Sequence, residues 1–249
     1  MRYRAYCSRD ANTKPVCSFL SMTKKLDFQS LCFHNVCMTV QGAAKNTEEF
    51  LLGDITRFRS GLVLRRKEAK EKTEFQYPLL TLQSMNPNGS INHDSLKPFW
   101  ATEALNPEYL TKPGEIVLRL TAPYTAVLIT DVTKGLVVSA NFIIITCMED
   151  KTVPEYLAWL LNTPDFKKEI YKAASSNMLD AVTGAVFAKV KVTLPPLEVQ
   201  QKIVTVCELS QKECDLLRRL TAEKEKLYQW TIERIQRGEI PVRGVNNDQ

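Results

Sequence analysis

From Phe50 onward the chain alternates short apolar runs with turn-forming residues, and after Pro196 it changes to one long helical pattern. Phe50 to Ile55 opens a strand or a helical turn. Tyr77 to Leu82 alternates apolar and polar positions and predicts a strand. Asn86-Pro87-Asn88-Gly89 predicts a turn, as does Lys112-Pro113-Gly114, which launches a strand over Glu115 to Leu120. Ala126 to Thr130 and Val137 to Thr146 predict further strands, separated by a turn at Lys134-Gly135. β-branched residues dominate these runs, as a half-buried pleated surface favours.

Helix then replaces strand. Pro154 suits a first helical position, and Tyr156, Leu157, Trp159, Leu160 and Leu161 follow at helical spacing. Asn162-Thr163-Pro164 stops that helix and starts the next, Asp165 to about Ala174, whose polar face carries Lys167, Lys168 and Lys172. Ser175 to Gly184 predicts a loop, and Val186 to Leu194 a short extended segment with Val190 and Val192 alternating with Lys189 and Lys191. Pro195-Pro196 is a boundary no helix runs through unbroken.

Leu197 to about Gln236 holds no Pro or Gly, enough for a helix of roughly 60 Å at about 1.5 Å per residue. Ile203, Val206, Ser210, Cys214, Leu217, Leu220, Leu227, Trp230 and Ile235 follow an approximate spacing of three and four. Glu208, Lys212, Glu213, Arg218, Arg219 and the 223–226 charge run clothe the rest. A rod this long does not cover its own apolar stripe, and it outreaches an ordinary domain of this size. It predicts pairing with another long helix. The alternative is a helix folded back on its own domain. Gly238 caps its end, Pro241 follows, and the tail over 238–249 predicts flexibility.

Residues 1–45 differ from the rest. They are rich in Cys, show no sustained period, and contain Met22 and Met38. Three readings stay open: a poorly packed leader, a native start at Met38, or the remnant of a preceding helix. The resulting division is a leader over 1–45, a globular domain over 46–196, a long helix over 197–237 and a tail over 238–249.

Composition changes this picture little. Hydrophobic residues make up 44% and charged residues 24% of 249 residues, so a packed core is expected and disorder is not. The net charge of +5 suits a polyanionic partner without requiring one. The apolar runs at Ile116 to Thr130 and Leu136 to Thr146 are too short and too interrupted to span a membrane. No secretory signal opens the chain, so a cytoplasmic protein is expected. The cysteines number seven, an odd count that fits free thiols. Cys32, His34 and Cys37 lack the paired spacing of common zinc modules, so no metal is expected.

Catalytic constellations are missing as well. There are two histidines, His34 and His93, and neither sits in a motif. No Gly-rich phosphate cradle is present. Ala122-Pro123-Tyr124 lacks the amide and second proline of an amino-methyltransferase signature. Glu68 and Lys70 have the spacing of a nuclease acid-x-lysine pair, but they lie in a charge run that reads as a solvated face. No enzymatic activity is expected of this chain.

Four segments, in order, resemble one family. Leu194-Pro195-Pro196-Leu197-Glu198-Val199-Gln200, followed by Gln201-Lys202-Ile203, resembles the junction between a target recognition domain and a spacer helix in the specificity subunits of Type I restriction-modification systems. Leu52-Gly53-Asp54-Ile55 with Ser60-Gly61 resembles that family's domain opening. Lys112-Pro113-Gly114-Glu115-Ile116-Val117-Leu118 resembles its Gly-Asp-Ile-Leu strand, with Glu for Asp. Tyr156 to Phe166 resembles its helix pair. The loop Ser175 to Leu179 matches only roughly.

The resemblance implies an α+β fold: a mixed target recognition domain, a twisted β-sheet with flanking helices, followed by one long α-helix that pairs with another. It implies recognition of double-stranded DNA in a complex with a methyltransferase (M) subunit and a restriction (R) subunit. S-adenosylmethionine, ATP and magnesium then belong to those partners, and this chain carries no cofactor. Typical members have two recognition domains and two spacer helices; this chain has room for one of each. It therefore reads as a half-subunit, forming a homodimer or joining a second specificity half through the long helix. The alternatives are a truncated or silent specificity gene product, or an interaction module that works through the long helix alone.

A reader of DNA needs cations for phosphate and planar donors for base edges. Arg57, Arg59, Arg65, Arg66, Lys67, Lys70 and Lys72 cluster near the start of the domain and are DNA-binding candidates. Arg119, Tyr124 in a Pro-containing bend, Lys167 and Lys168 are further candidates, with Lys172 beside them. For helix pairing the candidates are Ile203, Val206, Cys214, Leu217, Leu220, Leu227 and Trp230. For every one of these, surface solubility or ordinary packing is the competing explanation.

Overall fold

The computed structural model describes residues 47–175 and 183–240. The leader over 1–45, the Cys32, His34 and Cys37 group, Met38, most of the Ser175 to Gly184 loop and the tail beyond 240 lie outside the described residues.

Nine strands form three small sheets among the described residues. The central one is antiparallel and contains β2 (Thr56–Ser60), β8 (Phe142–Cys147), β5 (Ile116–Arg119) and β6 (Ala126–Leu128) in that order. Both of its faces are covered. Ile116, Leu118, Ile143 and Ile145 point into one apolar cluster, and Val117, Phe142 and Ile144 into another. This explains the unbroken Phe142 to Ile145 run: a strand covered on both sides has no polar face.

The first cluster is roofed by helices. These are α1 (Leu52–Ile55), α2 (Pro154–Asn162), α3 (Pro164–Ser175) and α4 (Gly184–Ala188). The second cluster is closed by a three-stranded sheet in the order β4 (Lys97–Trp100), β3 (Gln76–Leu80), β7 (Val137–Val138). There β3 pairs antiparallel with β4 and parallel with β7. The last sheet joins β1 (Glu48–Leu51) to β9 (Lys191–Leu194), bringing the start of the described chain beside the double proline.

Two glycines in the segments that carry the resemblance are held by close approach. A Cβ on Gly61 would lie 2.0 Å from the carbonyl oxygen of Ser139, so only glycine lets the chain pass there. A Cβ on Gly53 would stand 3.0 Å from the Ala188 methyl, where α1 crosses α4.

Two expectations are corrected. Val137 to Thr146 is not one strand but β7 and β8 on two different sheets, parted at Ser139 to Asn141. Val186 to Leu194 is not wholly extended; its first residues belong to α4, which seats Phe187 in the core. The expected β-sheet with flanking helices is present as the central four-stranded sheet, with two smaller sheets beside it.

The long helix α5 (Leu197–Gln236) leaves the domain at its first turns. Gln200, fully buried, sets the joint. Its Oε1 accepts hydrogen bonds from Thr152 Oγ1 (3.1 Å) and Val153 N (3.0 Å). Its Nε2 donates to the carbonyls of Lys151 (3.1 Å) and Pro195 (2.9 Å). Ile203, 6% exposed, completes the anchor inside the first cluster. Past the anchor Arg237 follows, and Gly238 adopts φ +73° to end the rod, with Glu239 N bonded to the Arg234 carbonyl.

Candidate nucleic-acid interface

The basic residues between Arg57 and Lys72 fall in two settings. On β2, Arg57 is exposed and pairs in register with Thr146, whereas Arg59 is taken up by its own fold. The Arg59 guanidinium grips both carboxylate oxygens of Glu115 at 2.9 and 2.7 Å. It also donates to the carbonyls of Leu110 (3.1 Å) and Glu108. Glu115 in turn accepts from the backbone N–H of Lys112 at 2.8 Å. This knot ties β2 to the Pro113-Gly114 turn. Arg59 is thus placed as a structural cation, and its exposed neighbours Arg57 and Lys112 flank an open hollow of about 310 Å³ beside it.

Beyond Gly61 the chain forms a 3-10 turn at Leu64–Arg66 and then runs along β4. Ala69 N bonds to the Trp100 carbonyl, Thr102 N to that of Lys67, and Glu68 bridges to Ala101. This lays Arg65, Arg66, Lys67, Lys70 and Lys72 along the rim of the three-stranded sheet. Arg65, Arg66 and Lys70 are exposed. Lys67 pairs with Glu103, and that hydrogen bond raises the Lys67 pKa and lowers that of Glu103. Lys72 Nζ stands 5.7 Å from the centroid of the Trp100 ring. Glu68, Glu71 and Glu74 are interleaved here, but the cations outnumber them. Trp100, half-buried, adds a flat apolar surface that sequence reasoning missed. Its signal was an aromatic ending a strand beside a basic run, visible only once β4 is known to border that run.

The remaining candidates lie on the helical side. Tyr124 does not face a groove: it is 7% exposed, in the first core cluster, edge-on to Tyr171 (5.0 Å) and Phe187 (6.3 Å). Burial, then the neighbouring Tyr171, raises its pKa. Arg119 Nε donates to Thr121 Oγ1 at 2.8 Å within the same bend. On α3, Lys168 pairs with Asp165 (3.0 Å) and Lys172 with Glu169 (2.6 Å). Lys167 is half-buried, and burial lowers its pKa. The structure therefore brings Arg65, Arg66, Lys67, Lys70 and Lys72 to one rim, and places Arg57, Arg119 and the α3 lysines on other elements.

The helix-pairing candidates also separate. Ile203 and Cys214 are buried, Ile203 against the domain core, so they lie off the free face of the rod. Val206, Leu217, Leu220, Leu227 and Trp230 are about half exposed, and Leu209 and Leu216, missed by the sequence reading, are exposed with them. Val206, Leu209, Leu216, Leu220, Leu227 and Trp230 occupy the a and d positions of one seven-residue repeat, the spacing of a coiled-coil seam. Arg234 stacks its guanidinium 4.6 Å from the Trp230 ring centroid at the far end.

Among the described residues, no group of three or more His, Cys, Asp or Glu side chains is placed to hold a metal ion. Nor is any described helix long and apolar enough to cross a membrane.

Residues 44–223 match the family model described as the Type I restriction modification DNA specificity domain. No curated protein sequence matches the chain. Among solved structures, the HsdS subunit from Thermoanaerobacter tengcongensis is 20% identical with a TM-score of 0.58, covering 81% of this chain and 51% of that one. A structure reported on complex assembly and conformational transition of the type I R-M system is also 20% identical, with a TM-score of 0.54 and the same coverage. At this identity the likeness establishes the fold. The chain spans about half the length of these structures.

Proposed function

The chain belongs to the family of Type I restriction modification DNA specificity domains, and from that premise we propose that it is a specificity half-subunit, one head that reads a DNA sequence on one rod that joins a larger complex. The head contributes recognition and no catalysis. Methyl transfer and DNA cleavage belong to M and R subunits, which bring S-adenosylmethionine, ATP and magnesium. The working place of such a complex is the cytoplasm, where its DNA is.

The observation that carries this reading is the joint between head and rod. Gln200 makes four hydrogen bonds inside the domain, and from it the helix runs outward with an apolar seam open to solvent. A rod held at a fixed angle, with a face left for a companion, suits a part that sets where a reading head stands on DNA. The rim carrying Arg65, Arg66, Lys70 and the Lys72–Trp100 pair supports the DNA side of the proposal, with Arg57 and Lys112 as a second basic edge. Arginine there supplies bidentate donors for guanine or phosphate, and lysine supplies charge.

The test is co-purification with an M subunit encoded beside it, followed by methylation of a random-sequence DNA library with labelled S-adenosylmethionine. The expected outcome is a stable complex that methylates one enriched sequence. A stable complex with no sequence preference, or a chain that binds no M subunit and no DNA, refutes the reading. The partner of the free seam is either a second copy of this chain or a different specificity half.

A further inference from the structure

The bend that joins β5 to β6 holds one arginine in place. Its backbone closes without any charged side chain: Arg119 N donates to the Thr125 carbonyl (3.0 Å) and Tyr124 N to that of Thr121 (3.0 Å). Tyr124 takes φ +51°, a left-handed conformation that a bulky residue adopts only under constraint. The constraint is burial, for its ring lies edge-on to Tyr171 and Phe187 in the first cluster. Thr121, Ala122 and Pro123 are left exposed at the tip. Arg119 Nε donates to Thr121 Oγ1 at 2.8 Å, which fixes the guanidinium against that tip. Arg59, Lys67, Lys168 and Lys172 each meet a carboxylate. Arg119 meets a hydroxyl instead, and among the described residues it makes no ion pair.

Strand alternation sets the side on which Arg119 stands. Val117, two residues back, and Phe142, its cross-strand partner, belong to the second cluster. Arg119 therefore projects on the side of the central sheet that carries the three-stranded sheet and the basic rim. Gly61 and Arg119 lie opposite Phe142 from its two sides, two strand spacings or about 10 Å apart. Arg65 follows Gly61 by four residues, a reach of at most about 14 Å. Arg119 and the rim at Arg65 thus stand within about 24 Å, less than the roughly 34 Å of one DNA turn.

We propose that Arg119 selects a guanine in the major groove, through its two terminal amino groups to the O6 and N7 atoms, and that Thr121 positions it. The inference rests on the DNA-reading role above and adds which residue discriminates and which base it selects. The bond at Nε leaves Nη1 and Nη2 as a pair of donors in one plane. Guanine presents two acceptors side by side on its major-groove edge, whereas adenine presents an acceptor beside a donor, so a donor-only fork prefers guanine. A phosphate contact asks for charge more than for direction, and a mobile cation supplies it. An arginine already locked by its own neighbour loses less freedom on binding and suits a target of fixed direction. The bend does not need this bond to hold its shape, since two backbone bonds and the buried Tyr124 ring do so. The tip itself is small, Thr121-Ala122-Pro123, and fits a groove about 12 Å wide. Arg65 and Arg66 on the rim then take phosphate on the flank while Arg119 meets a base edge.

The full chain in complex with its M subunit, given a random-sequence library, supplies the preferred sequence against which the variants are read. The expected result is a guanine position at which Arg119→Ala and Arg119→Lys both accept other bases, with every other position unchanged. Discrimination there falls by about 5- to 150-fold, the worth of one bidentate pair. Arg119→Lys keeps the salt slope of binding, because it keeps the charge. Thr121→Val removes the acceptor and lowers the same discrimination in part; Thr121→Ser restores it. DNA carrying 7-deazaguanine at that position lacks N7 and binds the unaltered complex more weakly, but binds the Arg119→Ala complex no worse than ordinary DNA does. Thermal melts check that each variant folds, and the 7-deazaguanine measurement on the unaltered complex needs no variant. Arg119→Ala with every preference intact overturns the proposal. So does a loss equal for all sequences with a flatter salt slope, which marks a phosphate contact, and so does 7-deazaguanine that affects both complexes alike. In each of these cases a complex that still methylates one sequence leaves the DNA reading standing. A complex without any sequence preference sinks that reading, and this inference with it.

Discussion

Arg59 shows how a residue suited to DNA can be spent on the fold. Its partner Glu115 is nearly buried, and the pair spans β2 and the start of β5 through 2.7 and 2.9 Å contacts. Removing the cation leaves a buried carboxylate with one backbone N–H for company. Arg59→Met should therefore lower stability by roughly 1–3 kcal/mol, the range for orphaning a buried polar group, read as a shift in the urea midpoint at constant slope. Arg57→Ala on the same strand should leave that midpoint within about 0.5 kcal/mol, as exposed substitutions do. A larger loss at Arg57 than at Arg59 would contradict this division of labour. A second prediction concerns Cys147, whose thiol burial pushes up to about 12 from an ordinary 9.0. The folded state holds that proton more tightly than the unfolded one. Stability is thus unaffected below about pH 9, where both states keep the proton, and falls as pH rises from there toward the folded value. The decline should be shallower in Cys147→Ala. At pH 8, iodoacetamide should label Cys147 far more slowly in the native protein than in urea; equal rates would refute the burial argument.

At the scale of elements, the joint before the rod makes the sharpest prediction. Gln200→Leu keeps the size of the side chain but strands the Thr152 hydroxyl, the Val153 N–H and the carbonyls of Lys151 and Pro195. It should cost roughly 2–4 kcal/mol, more than one lost hydrogen bond, because several buried groups lose a partner together. Gln200→Glu should cost at least as much, since an oxygen replaces the donor facing two carbonyls. Thermal melts of both variants against Gln201→Leu, which is exposed, decide it. The double proline and the length of this helix were legible in the sequence, because Pro and Gly punctuate the backbone locally. Which side of the rod meets the domain was not. Ile203 and Cys214 fall on the same approximate three- and four-residue spacing as Val206, Leu220, Leu227 and Trp230, and apolar spacing alone does not say which neighbour covers a residue. The same limit hid Arg59, whose partner lies 56 residues away in sequence, and Tyr124, whose neighbours Tyr171 and Phe187 come from two separate helices. The split of Val137 to Thr146 was hidden by a continuous apolar run, since strands buried on both faces lose the alternation that marks an edge or a break. Leu217→Asp carries the element scale outward: it should abolish pairing of the rod and co-purification with the M subunit while the melting of the head stays unchanged.

For the whole molecule the question is whether a chain of modest net charge, +5, holds DNA through a few placed cations or through its general field. The two cases differ in their response to salt. Each phosphate contact releases condensed counterions, so the logarithm of the binding constant falls with the logarithm of salt concentration by about 0.9 per contact. Arg65 and Arg66 sit side by side on an exposed turn, and Lys70 follows on the stretch that runs along β4. If this rim grips phosphate, Arg65→Ala with Arg66→Ala should flatten the salt slope of each head by about 1.8 and weaken all sequences alike. A symmetric dimer should show twice that change. A general field predicts a small uniform loss with the slope hardly altered, the same as for a control pair such as Lys134→Ala with Lys151→Ala on other exposed loops. A third outcome is equally readable: loss of discrimination between preferred and random DNA, with the slope retained, would mean that these arginines touch base edges. Fluorescence anisotropy titrations of the M complex at several salt concentrations separate the three. An unchanged slope and an unchanged preference together would move the DNA face to the other basic edge, at Arg57 and Lys112.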